Sequence, residues 1–88
     1  MQIHDPCPVQ VLKTIDKALK KQPSVSFDEV VGSSSCRRFS VRDIGIALEL
    51  LRRNGLVRAT SRFGCSELLE FTATGVTEEG KAFLSSHR

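Results

Sequence analysis

The sequence predicts an α+β chain: three helices, then a β-hairpin, then a short closing helix. Two observations set this order. Apolar residues recur at helical spacing over 8–21 and again over 40–54, and after Gly55 the period falls from 3.6 residues to 2. A third marks the short helices, since Ser26-Phe27-Asp28-Glu29 and Thr77-Glu78-Glu79 each place a hydroxyl ahead of carboxylates at the positive end of a helix. A chain of 88 residues sustains one hydrophobic core, so a single domain is expected, with its core over 8–85 and flexible ends at 1–7 and 86–88.

The first helix is expected from about Pro8 to Lys21. Proline suits a first helical turn, Val9, Leu12, Ile15 and Leu19 form the inner stripe, and Gln22-Pro23 stops the helix because proline disfavours helix in its predecessor. Ser26 then caps a second helix that ends near Gly32, and a Gly/Ser loop follows to Ser35. Ser40 caps the third helix, which runs to Asn54 and is ended by the left-handed residue Gly55. Its apolar arc holds Val41, Ile44, Ala47, Leu48 and Leu51 and extends through Ile46 and Leu50, wide enough to be covered from two sides. Gly45 is unusual there, because a mid-helix glycine costs about 1 kcal/mol relative to alanine; close helix packing is the expected reason, and approach of a ligand the other.

Beyond Gly55, Val57, Ala59, Ser61 and Phe63 alternate with Arg58, Thr60 and Arg62, and Leu69, Phe71 and Ala73 alternate with Glu70, Thr72 and Thr74. Matching the faces pairs Ala59 with Ala73, Ser61 with Phe71 and Phe63 with Leu69, and sets Arg62 opposite Glu70. The connection is then Gly64 to Leu68, or a bulged turn. Thr77 caps the last helix, which is expected to reach about Ser85 with Ala82, Phe83 and Leu84 turned to the core.

Charge is uneven along the chain. Residues 1–36 sum to zero, residues 37–62 carry seven arginines against Asp43 and Glu49, and residues 63–88 sum to −2. Arginine suits bidentate contact with phosphate or guanine. No apolar run approaches the ~20 residues of a membrane span, and no secretory leader is read at the N-terminus, so a cytoplasmic protein without membrane contact is expected. His4, Cys7, Cys36 and Cys65 lack paired metal-ligand spacing, so the thiols are expected to be reduced packing residues and neither a metal nor a cofactor is expected. Cys36, beside Arg37 and Arg38, has the neighbours that favour a thiolate and is the candidate for a redox sensor. No nucleophile stands with His4 or His87 at a motif spacing and no glycine-rich phosphate loop is present, so no enzyme is expected.

Two segments resemble the winged helix–turn–helix superfamily of prokaryotic transcriptional regulators, of the multiple-antibiotic-resistance and phenolic-acid-regulator type. Ile46-Ala-Leu-Glu-Leu-Leu-Arg-Arg-Asn-Gly-Leu-Val57 is similar to the end of their recognition helix leading into the wing. Val76-Thr-Glu-Glu-Gly-Lys-Ala-Phe-Leu84 is similar to the segment that follows the wing. The resemblance implies a DNA-binding protein over 26–84, with helix 40–54 in the major groove and the 56–75 hairpin as wing. Its contacts would be Arg37 and Arg38 before the helix, Ser40, Arg42, Ile46 and Arg53 on it, and Arg62 on the wing. Arg42 would meet a base edge, Ser40 a phosphate and Ile46 a thymine methyl. Local partners compete for some of these: Arg53 follows Glu49 by four, Arg52 lies in the last helical turn, and Arg62 faces Glu70.

Three features depart from those regulators. The turn Gly32 to Phe39 is longer than usual, Glu49 falls in the sector that would face DNA, and no long helices follow the last one, so a monomer or weak homodimer is expected. The alternative is a winged helix that binds protein and not DNA, with Ile46, Glu49 and Leu50 on the partner surface.

Overall fold

The computed structural model describes residues 1–64 and 67–87. Helix α1 spans Pro6–Leu19, strand β1 Val25–Ser26, helix α2 Phe27–Val31, helix α3 Val41–Arg53, strand β2 Val57–Gly64, strand β3 Glu67–Val76 and helix α4 Glu78–Ser86, with a single 3₁₀ turn at Ser34–Cys36.

α1 begins two residues before the expected Pro8 because Pro6 already supplies the fixed φ of a first helical position. It buries Cys7, Pro8, Val11, Leu12 and Ile15. α3 lies against α1 and contributes Ile44, Ala47, Leu48 and Leu51 to the same core, which Val25, Val30, Cys36, Leu56, Val57, Phe71, Ala73 and Val76 complete. Burial of each large apolar side chain contributes roughly 1.5–3 kcal/mol, and in so small a chain nearly all of it comes from this one cluster.

The caps read from the sequence are present. Ser26 Oγ accepts from the Glu29 backbone N–H at 3.2 Å while the Glu29 carboxylate accepts from the Ser26 N–H, a closed capping box. Ser40 Oγ accepts from the Asp43 N–H at 3.1 Å, and Thr77 Oγ1 from the Gly80 N–H at 3.1 Å. Gly55 adopts φ 71°, the left-handed conformation that turns the chain from α3 into β2.

The sheet has three strands in the order β1-β3-β2, all neighbours antiparallel. β1 was not expected. It pairs Val25 with Ala73 and Ser26 with Thr72, and two residues are too few to show a period. In the hairpin, Ala59 faces Ala73, Ser61 faces Phe71 and Arg62 faces Glu70, as the alternation predicts. Toward the tip the pairing differs from expectation: Phe63 faces Leu68, not Leu69, and Gly64 faces Glu67. A register shift after Arg62 inserts one extra residue on β3, so the bulge falls within the strands and the hairpin closes shorter than a Gly64–Leu68 loop. The remaining connection, Cys65-Ser66, lies outside the described residues.

The long Gly32–Phe39 turn, whose first part Gly32–Ser35 is expected as a Gly/Ser loop, is pinned by the 3₁₀ turn, which drops Cys36 into the core within 3.4 Å of Thr14 Oγ1 on α1. At the other end of the molecule α4 docks by its first turn. Thr77 Oγ1 donates to the Gly55 carbonyl at 2.6 Å, and the Thr77 N–H to the Leu56 carbonyl at 3.1 Å. His4 stacks on Phe83 and His87 at ring-centroid distances of 5.4 and 5.1 Å, placing the N-terminal residues against α4.

Candidate functional site

α3 presents to solvent the side that the core leaves uncovered. Arg42 and Arg53 are exposed on it, Val41 and Ile46 are 57% and 44% exposed, and Leu50 is half-buried. The wing, β2 and β3, stands beside this face. Between them lies an open cleft of about 760 Å³, lined along α3 by Val41, Arg42, Gly45, Ile46, Glu49, Leu50 and Arg53, and closed by Phe27 of α2 and by Phe63 and Leu68 of the wing. A methyl group on Gly45 would meet Phe27 and Leu68, 3.4 and 3.7 Å away, so these two side chains pack over the buried glycine at the floor of the cleft. Helix-on-helix packing against Phe27 accounts for part of the glycine's environment; the wing residue Leu68 accounts for the rest.

Glu49 decides the electrostatics here. The wheel reading puts it outward toward a ligand, yet it is only 8% exposed. Its carboxylate accepts from Arg52 through Nε at 3.0 Å and a second guanidinium nitrogen, from Arg53 Nε at 3.2 Å, and from Ser61 Oγ at 3.4 Å. The Arg52 hydrogen bonds first, then the charges of Arg52 and Arg53, hold its carboxyl below the usual carboxylate range despite burial; the Arg52 guanidinium is correspondingly raised. The Ser61 contact ties α3 to β2, so Glu49 is a strap between helix and wing.

The structure gathers Arg42, Ile46 and Arg53 along one cleft. Arg53 is shared, ion-paired to Glu49 while its side chain stays 72% exposed. Arg37 and Arg38 are exposed in the segment leading to α3, where the Arg38 guanidinium lies 4.7 Å over the Phe39 ring, and Ser40 is committed as the α3 cap. Arg62 is not brought to the cleft. It sits one residue before Phe63, on the opposite side of the strand, and pairs with Glu70 at 3.0 Å. Among the described residues, Arg37, Arg38, Arg42 and Arg58 make no ion pair. Arg58, exposed at the base of the wing, has the same standing as the residues singled out in the sequence, where β alternation alone gave it no distinction.

Phe27, Phe63 and Leu68 are the residues that sequence reasoning missed. Phe63 falls on the inward face by alternation, but the hairpin extends past the core, leaving it 45% exposed. The redox expectation for Cys36 is corrected: its side chain is fully buried, shielded from solvent, and a thiolate sensor requires access. Cys7 is also buried, donating to the Asp43 carbonyl at 3.6 Å, and burial together with Asp43 pushes its thiol up to about 11. Among the described residues no helix is long and apolar enough to cross a membrane.

Three helices about a small antiparallel sheet, with a hairpin projecting beside the third helix, define a winged-helix fold. The fold is shared with the transcriptional regulator homologue protein from Pyrococcus horikoshii OT3, at a TM-score of 0.56 and 18% identity, covering 97% of this chain and 79% of that one. No family model matches the sequence, and no curated protein matches it.

Proposed function

We propose that this chain is a small DNA-binding transcriptional regulator of the cytoplasm that places α3 in the major groove of double-stranded DNA and lays the β2–β3 wing against the flanking backbone. The observation that carries this reading is the run Arg37, Arg38 and Arg42: three exposed arginines at the leading end of α3, none ion-paired among the described residues. Most other cations near the face have a local carboxylate, so these three supply the positive charge that a phosphate backbone would meet. The similarity of Ile46–Val57 and Val76–Leu84 to regulators of the multiple-antibiotic-resistance and phenolic-acid-regulator type supports the same docking geometry, as does the shared fold. In this reading Arg42 reaches a base edge, Ile46 a thymine methyl, and Ser40 with Arg37 and Arg38 the phosphates. The protein acts by binding, without cofactor or catalysis, as a monomer or weak homodimer.

Titration of the protein with random-sequence duplex DNA at two salt concentrations tests this. Each phosphate neutralised steepens the fall of log affinity with log salt by about 0.9. Arg37→Ala is expected to weaken binding and lower that slope by about one phosphate contact, and Arg42→Ala to weaken binding to a preferred sequence with little change in slope, the circular dichroism spectrum of both unchanged. Absence of binding at low salt overturns the proposal.

A further inference from the structure

The cleft between α3 and the wing gathers more apolar surface than the single thymine-methyl contact assigned to Ile46 would use. Val41, Ile46 and Phe63 are among the most exposed large apolar side chains of the described residues, and all three converge on it, with Phe27, Leu50 and Leu68 behind them. A phosphodiester backbone offers such a surface no apolar partner. Exposed apolar surface gathered in one concave site marks an interaction surface. We propose that this cleft docks a short amphipathic helix of a partner protein, apolar on the face it inserts and acidic along its flanks, in competition with DNA.

Length, shape and charge each point to that occupant. From Val41 to Arg53 the lining follows α3 for about 18 Å, at 1.5 Å per residue, which matches three turns of a second helix and anchors at i, i+4 and i+7. Buried Gly45 lets Phe27 and Leu68 pack down onto α3, so those two side chains form the middle of the floor on which the central anchor would seat. The lining cations, Arg42 near one end and Arg53 at the other, are exposed. The lining carboxylate, Glu49, is turned in and neutralised by Arg52 and Arg53. Acidic flanks on the incoming helix are therefore complementary at both ends, and basic flanks are opposed. Because Arg42 and Ile46 serve both ligands, the docked helix and the duplex exclude each other. The competition rests on the DNA reading; the docking does not.

The probe is a displayed library of helical 14-residue peptides, randomised on all faces and selected against the full chain. The expected result is enrichment of apolar residues at i, i+4 and i+7 flanked by Asp or Glu. Such a peptide should shift the backbone amides of Gly45, Ile46 and Phe63 in nuclear magnetic resonance spectra, lose at least tenfold in affinity against Phe63→Glu or Ile46→Glu, and displace bound duplex. Both substituted side chains are solvent-exposed, and a thermal melt confirms that each variant folds. Enrichment of basic or wholly polar peptides, binding that shifts α1 or α4 instead, or an affinity unchanged when the anchors become alanine overturns the docking. Binding to the cleft by a protein that shows no duplex affinity retains the docking and removes the DNA reading. Simultaneous binding of peptide and duplex removes the competition.

Discussion

At the scale of single residues, Glu49 shows what a helical wheel misses. Its position on α3 is polar by pattern, and a free glutamate there would repel DNA. Arg52, Arg53 and Ser61 instead draw it inward to 8% exposure, which converts a repelling charge into a link between helix and wing. A carboxyl whose folded pKa lies below its unfolded value of about 4.3 contributes stability that is fully present above that value and lost as pH falls through the lower folded one. Glu49→Gln is therefore expected to cost about 1 kcal/mol at neutral pH, discounted because both guanidinium groups keep contact with water, and to flatten the acid side of the stability curve. Urea melts of both proteins at a series of pH values from about 3 to 7 check this; parallel curves for the two proteins would exclude the strap. The same substitution frees one positive charge at the cleft, so duplex affinity should rise and its salt dependence steepen.

At the scale of elements, the two motifs that resemble winged-helix regulators acquire physical reasons. Gly55 has the φ of 71° that ends α3. Gly80 answers to a closer constraint, since a Cβ there would stand 2.1 Å from the Leu56 carbonyl oxygen and 2.7 Å from Val76 Cγ1. The first turn of α4 is thus laid directly on the backbone that leaves α3, with Thr77 bonded to Gly55 and Leu56. Gly80→Ala must separate the two backbones, and a loss of about 3 kcal/mol is expected, the upper end of overpacking costs, read from the urea midpoint at constant slope. Gly45→Ala is the contrasting case, meeting only ordinary contacts and gaining helix propensity, so its stability should hold or rise by up to ~1 kcal/mol. The capped helices and the body of the hairpin were legible in the sequence because caps and alternation are local signals. β1 and the 3₁₀ turn at Ser34–Cys36 were not, because each is set by a distant partner, Ala73 and Thr72 for the strand and Thr14 for Cys36; a bulge was one of two alternatives at the wing's turn, and its place within the strands is set by the wing's closure.

At the scale of the whole molecule, charge and shape divide the candidate interface differently from its reading in the sequence. The seven arginines of residues 37–62 suggest one basic face; the structure assigns Arg52 and Arg53 to Glu49 and Arg62 to Glu70, while Arg37, Arg38 and Arg42 stay exposed before and on α3 and Arg58 stays exposed at the base of the wing. An apolar cleft opens alongside, and no periodicity displays it, because its walls come from α2, α3 and both wing strands. Whether the wing meets the duplex together with α3 turns on Glu70. Both members of its pair with Arg62 are about two-thirds exposed, so the pair contributes at most ~1 kcal/mol to folding, and Glu70→Gln should leave the melting temperature nearly unchanged. Its effect on binding depends on where DNA passes. If the wing lies along the backbone, removing this carboxylate releases Arg62 to a phosphate and abolishes a repulsion, so affinity rises several-fold at low salt and the gain fades as screening shortens toward ~8 Å. If α3 alone makes the contact, affinity is unchanged at every salt concentration, while Arg42→Ala still weakens it. Paired titrations of the two variants therefore measure the wing's share of the interface separately from that of the helix.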